Sequence, residues 1–334
     1  MLSSGVNLMM SVSEKLMMYY LSRKRLIEER MKEIVSLTTK FDPVFKETEA
    51  YDMVMYGIHG GKKLRGVLTL LTCEALGGNI DKALDAAVAV EFVHNASLIH
   101  DDVIDGDEER RGRESFWKKY GVTAAIISGH YLISLSLSIF RKYGWKAVEA
   151  FNKAWMNTLK GGIIDIWKGK TFDEKLYKII AKLKTGEFFA IASLMGAIAA
   201  EKENYEKIAY MYGSQLGFAF QIADDIVDLV KLQSNKNILL HSLSLPAFVA
   251  WVLEGKIKGI KKISLISSED LLKIIKENNV LEKALNKLKD KVAEVEKIAS
   301  LFPENTYSMF LKEIPKLAIK KMLSEAPMIS KFII

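Results

Sequence analysis

"DKALDAAVAVEFVHNASLIHDDVID" (81–105) contains neither proline nor glycine. Its Ala, Leu and Val recur with helical period, so the stretch reads as one long helix. It ends in Asp101, Asp102 and Asp105, and Asp107, Glu108, Glu109, Arg110 and Arg111 follow at once. "GFAFQIADDIVD" (217–228) repeats the pattern, an apolar run closing on Asp224, Asp225 and Asp228.

Around a helix axis, positions i, i+1 and i+4 fall at roughly 0°, 100° and 40°. Each aspartate triplet is therefore expected to share one face. Three carboxylates on one face repel one another, and their pKa values rise. A hard divalent cation removes that cost. Mg²⁺ is expected, because it takes a few carboxylates and completes its shell with phosphate oxygens. One such motif alone is commonly a solvated helix end; two, each ending an apolar run, point to metal.

Working outward, the rest of the chain is also helical in pattern. Of its 334 residues only five are proline, and none lies between 44 and 245. Gly60-Gly61 and Gly77-Gly78 interrupt apolar runs as helix stops do. Strand alternation is sustained nowhere. The fold class expected is all-α, a single-domain bundle (1–334) of roughly ten or more helices around a central cavity. "GVTAAIISGHYLISLSLSIF" (121–140) has the length of a membrane span. Its Ser, Gly and His content favours a buried core helix instead. Beyond about 255 the chain is Lys-rich and amphipathic, as in a solvated outer layer; a peripheral membrane contact is the sharper reading.

Hydrophobic residues make up 49% and charged residues 27%, which excludes a disordered chain. A net charge of +7 favours anionic partners. The two acidic faces speak against nucleic acid. The single Cys73 excludes an intrachain disulfide and a cysteine zinc site, and a cytoplasmic setting is expected. The N-terminal stretch lacks a basic segment ahead of an apolar run, so no signal peptide is expected. Lys62 and Arg65 in "GGKKLRG" (60–66), Arg110, Arg111, Lys184 and Thr185 supply cations and a hydroxyl suited to phosphate oxygens. Together they suggest two diphosphate pockets, one bound through metal and one by cations directly.

The set "GGKKLRG", "EFVHNASLIHDDVIDGDEERRG", "KTGEFF" and "GFAFQIADDIVD" resembles the trans-isoprenyl diphosphate synthases in order and spacing over roughly residues 45–230. The similarity is nearest to archaeal hexaprenyl-type, medium-to-long-chain members. The resemblance implies an isoprenoid synthase fold, a homodimer, and three Mg²⁺ ions with substrate bound, for which Mn²⁺ can substitute. Asp101, Asp102, Asp105, Asp224 and Asp225 would hold Mg²⁺ on an allylic diphosphate, with Asp228 completing the second motif from one step behind. Arg110, Lys184 and Gln221 would contact that diphosphate, and Thr185 the reacting region. Lys62, Arg65, His94 and Arg111 would hold isopentenyl diphosphate. The allylic C–O bond ionises, the isopentenyl double bond attacks, and a proton leaves to the released diphosphate.

The tail is expected to run back along the helix that precedes Asp101, past Ser97, Ala96 and Val93. No aromatic stands near 96, so a product longer than C20, with C30 favoured, is expected; a geranylgeranyl diphosphate synthase is the alternative. A class I terpene cyclase and a non-catalytic subunit of a heteromeric synthase are the rivals. Three departures from the family pattern stand out: the altered 229–246 segment, where Lys231 and Lys236 could replace a missing cation, His130 in place of an acid, and Gly66 where proline is common.

Overall fold

In the computed structural model the described residues are 10–45, 47–168, 171–232, 244–255 and 267–324. Helices α1 (Val12–Val35), α2 (Ala50–Ile58), α3 (Leu64–Ala75) and α4 (Ile80–Asp105) lead into a two-residue antiparallel ladder, Glu109–Arg110 against Arg113–Glu114. Next come α5 (Phe116–Tyr120), α6 (Val122–Phe140), α7 (Trp145–Lys168), α8 (Glu174–Ile180), α9 (Glu187–Ala199) and α10 (Glu206–Leu232). The described chain closes with α11 (Leu245–Val252), α12 (Ser268–Glu277), α13 (Val280–Ala299) and α14 (Thr306–Leu323). The protein is all-α, as the patterning indicates.

Helix α4 organises the rest. Asn79 caps it by accepting from the Asp81 N–H at 2.8 Å, and Gly106 ends it at φ 70°. Ala83, Ala86, Ala87, Ala89 and Ala96 are fully buried. These small side chains let α3 and α6 pack closely on either side of α4. Helix α9 lies between α3 and α10, and α13 and α14 cover the outer side of α10. A second apolar cluster joins α8, the C-terminal half of α10 and α11 through α13, around Tyr177, Phe248 and Trp251. In the described part of the Lys-rich stretch, α13 buries Val280, Ala284, Leu288 and Val295 and exposes Glu282, Lys283 and Lys289.

Helix α6 corrects one expectation. The run 121–140 is not buried all round. Only a third of its most apolar window is buried, along the face carrying Ala125, Gly129, Leu132 and Ser136 against α4. Ile127 is 64% exposed, and Ile126 and Leu137 are also open. By length and composition alone it could cross a membrane. Gly121, at φ 89°, separates α5 from α6.

Candidate active site

The C-terminal end of α4 and the C-terminal half of α10 line one cavity of about 600 Å³. Asp101 and Asp105 face it from α4, and Asp224, Asp225 and Asp228 from α10. Below the carboxylates the walls turn apolar, with Trp155, Leu159 and Ile163 from α7 and Phe188 from α9. Burial pushes the Asp101 carboxyl up to about 6; Lys184 opposes that rise and Asp105 adds to it.

The first triplet is not a single surface. Asp102, at 2% exposure, turns 100° away from Asp101 and lies in a neighbouring small pocket with Asn95, Arg110 and Arg111. Arg110 Nε donates to Asp102 Oδ1 at 2.7 Å, and Arg110 Nη2 reaches Asp107 at 3.1 Å. In the second triplet Asp224 is the exposed member, and Asp225 is buried and accepts from the Tyr177 hydroxyl at 2.7 Å. Burial raises the Asp225 pKa well above the usual range, Asp224 adds to that, and the Tyr177 hydrogen bond opposes it.

Lys184 and Thr185 sit in a π-helical turn, Ala181–Gly186, between α8 and α9. Such turns re-aim side chains and recur at functional sites. Lys184 donates to Asp165 on α7 at 2.9 Å, and Thr185 donates to Gln221 on α10. Burial alone would depress Lys184, but Asp165 and Asp101 outweigh it and hold the ammonium charged. Asp165 is itself buried, lines the same cavity and keeps Oδ1 without a partner among the described residues. The sequence reading missed Asp165 and Tyr177. Each is a lone polar residue in a helical run, and only folding brings it to the acidic motifs.

Arg65 and His94 line the deeper side of the cavity. Arg65 Nη1 lies 2.9 Å from His94 Nε2, so the neutral imidazole carries its proton on Nδ1, which has no partner among the described residues. Burial drives the His94 pKa well below the usual histidine range, and Arg65 adds to that. Arg65 also covers the Phe189 ring at 4.5 Å. Gly60 and Gly61, at φ 72° and 80°, bring Arg111 in: a Cβ on Gly61 would stand 2.7 Å from the Arg111 Cζ. Arg111 Nη1 donates to the His59 carbonyl at 2.7 Å and reaches Asn95 at 3.3 Å.

Several sequence candidates fall elsewhere. Lys62 is half-buried and not among the cavity-lining residues, and the buried lysine is Lys63, which donates to the Ile58 carbonyl. Ala96 is fully buried in packing and does not reach the cavity, whereas Ser97 does, and Val93 lines a smaller void beneath. Arg110 and Arg111 stand with Asp102 in the neighbouring pocket rather than beside Asp101. Lys231 lies in the last turn of α10; Lys236 falls outside the described residues. His130 pairs with His100, ring centroids 5.2 Å apart, at the cavity rim.

The donor set suits a hard divalent cation, since the cavity-facing ligand candidates are carboxylates. Among the described residues no three His, Cys, Asp or Glu side chains gather closely enough to hold an ion by themselves. That arrangement fits a cation that completes its shell from a bound diphosphate, with Asp101, Asp105 and Asp224 contributing.

A helical bundle with two acidic helix ends over one greasy cavity defines a class of enzyme that handles a diphosphate on an apolar tail. The sequence profile of the polyprenyl synthetase family matches residues 47–256, and the chain belongs to that family of prenyltransferases. It is 36% identical to a geranylfarnesyl diphosphate synthase of Methanosarcina mazei over 66% of this chain and 74% of that one. It is 31% identical to a hexaprenyl pyrophosphate synthase of Saccharolobus solfataricus over 63% and 71%. The solved geranylgeranyl pyrophosphate synthetase of Geoglobus acetivorans superposes with a TM-score of 0.74 at 27% identity, covering 90% of this chain and 99% of that one.

Proposed function

We propose that the enzyme condenses an allylic prenyl diphosphate with isopentenyl diphosphate in successive head-to-tail 1′–4 additions, releasing an all-trans polyprenyl diphosphate. The observation that carries this is the single cavity with carboxylates and Lys184 at its top and aromatic and aliphatic walls beneath. The allylic diphosphate lies between Asp101 and Asp105 on one side and Asp224 on the other, with Lys184 and Gln221 at its oxygens. A divalent cation, Mg²⁺ by the character of the donors, would supply positive charge to the departing diphosphate.

The chain's own residues do the remaining work. Glu91 favours the charge of Lys63, Arg65 and Arg111 alike, and Glu28, Asp224 and Asp102 add to it at Lys63, Arg65 and Arg111 in turn. Arg65, which lines the cavity, and Arg111 in the neighbouring pocket offer guanidinium groups to the diphosphate of isopentenyl diphosphate. Burial pulls the Arg65 guanidinium down to about 10 and Lys63 to about 8, a cost that an incoming anion relieves. The apolar walls keep water from the allylic cation.

The enzyme acts as a homodimer in the cytoplasm. Ile127 and Leu137 on α6 and Met156 and Trp167 on α7 are exposed, and a second copy would cover apolar side chains of this kind. Incubation of the purified chain with labelled isopentenyl diphosphate, Mg²⁺ and a geranyl, farnesyl or geranylgeranyl primer, followed by chromatography, tests the proposal. Label should move into a longer prenyl chain. A cyclic hydrocarbon formed without isopentenyl diphosphate would identify a terpene cyclase instead. No turnover by the pure chain, restored by a partner protein, would identify a subunit.

A further inference from the structure

Deep in the cavity two aromatic rings stand in its wall. Trp155 and Phe188 line it, and the same two residues line a second, enclosed void of about 10 Å³ beneath it. Their ring centroids are 6.0 Å apart with planes at 59°. The register of three helices agrees on the direction. On α4 the wall passes from Asp101 through Ser97 in the cavity to Val93 and Val90 in the void. On α7 it passes from Asp165 through Trp155 to Phe151, and on α9 from Phe188 to Ile191. The void is therefore the buried continuation of the cavity, plugged by two rings.

We propose that Trp155, braced by Phe188, is the floor that sets product length. This rests on the chain-elongation reading above. At 1.5 Å per residue the plug, between the levels of His94 and Val93, lies about 10–12 Å below Asp101. An extended isoprene unit spans about 5 Å from ordinary carbon–carbon bond lengths. Two units therefore fill the space beneath the one that reacts, the three-unit farnesyl chain is the longest primer that fits, and growth ends near C20. The floor comes from α7 and α9, not from position 96 on α4. A C30 product needs more depth than the rings leave. Below the plug, Val93 to Val90 adds about 4–5 Å, close to one further unit, before the Phe140 and Phe151 rings, tilted at 30° with centroids 5.0 Å apart, close the void.

The test compares product lengths from labelled isopentenyl diphosphate and a farnesyl primer. Trp155→Ala should shift the main product about one C5 unit longer, and Trp155→Phe should keep the original length. Trp155→Leu, which keeps the site filled, should lengthen the product by one unit even where the alanine variant folds poorly. Adding Val90→Phe to Trp155→Ala should return the product towards the original length by refilling the void. Elongation by the wild type with unchanged length in both the alanine and leucine variants would overturn the floor alone. Absence of any elongation by the wild type would overturn the elongation reading itself.

Discussion

Replacing Gly66 by proline tests why this chain departs from its family in "GGKKLRG". Position 66 is in the first turn of α3, where a proline is ordinarily tolerated because the N–H has no helical partner. Here that N–H has one. It donates to Glu91 Oε1 on α4 at 2.8 Å, and Glu91 is 1% exposed. Proline removes the donor and leaves a buried carboxylate short of a hydrogen bond, costing about 1–3 kcal/mol. Its ring atoms add crowding, since even a Cβ at 66 would stand 2.9 Å from Glu91 Cγ and 3.0 Å from Ile27 Cδ1. Overpacking of that kind costs about 1–3 kcal/mol more. Gly66→Ala keeps the N–H and shares the crowding at Cβ, so the difference between the two variants is chiefly the hydrogen bond, with the Cγ and Cδ of proline as the remainder. Urea unfolding should place Gly66→Pro about 1–3 kcal/mol below Gly66→Ala. In a Glu91→Met background, which removes the acceptor, that gap should close to within about 0.5 kcal/mol. Equal stability of the proline and alanine variants in the parent background would refute the reasoning.

Asp165→Asn should lower stability by about 2 kcal/mol rather than the 3–5 of a fully buried broken pair, because the Lys184 side chain is 36% exposed and retains Asp101 nearby. It should also reduce kcat at least tenfold at saturating Mg²⁺, measured by steady-state kinetics; unchanged kcat would remove Asp165 from the site. Tyr177→Phe takes the hydroxyl from Asp225 and should raise the Mg²⁺ concentration for half-maximal rate several-fold while KM for isopentenyl diphosphate stays within twofold; a metal titration curve that does not move would contradict a positioning role. Cys73 is fully buried, and burial pushes its thiol up to about 12. Labelling of the native protein at pH 8 should therefore be slower than that of the unfolded chain by about a thousandfold or more, and rapid native labelling would show that α3 opens locally.

The long helix 81–105 and the paired acidic motifs were legible in the sequence because both are local: a run of helix formers and a spacing within one turn. What a spacing cannot give is which member of a triplet meets which neighbour. Asp101 and Asp105 differ by one turn and stay together, whereas Asp102 is rotated by about 100° and is claimed by Arg110, which the hairpin at 109–114 folds back over it. The partners of Lys184 and Asp225 were illegible for the same reason, since Asp165 and Tyr177 lie 19 and 48 residues away along the chain. The apparent core helix 121–140 shows the converse error. An apolar composition records how much surface must leave water, not which body covers it. Helix α6 gives one face to α4 and keeps Ile127 and Leu137 open. On the floor proposed above, the same logic would govern product length. A floor sought only on the helix that carries the aspartates was absent at Ala96, yet the cavity is closed by rings from two other helices. Depth in a bundle is a property of all its walls, and the shallowest obstruction on any of them sets it.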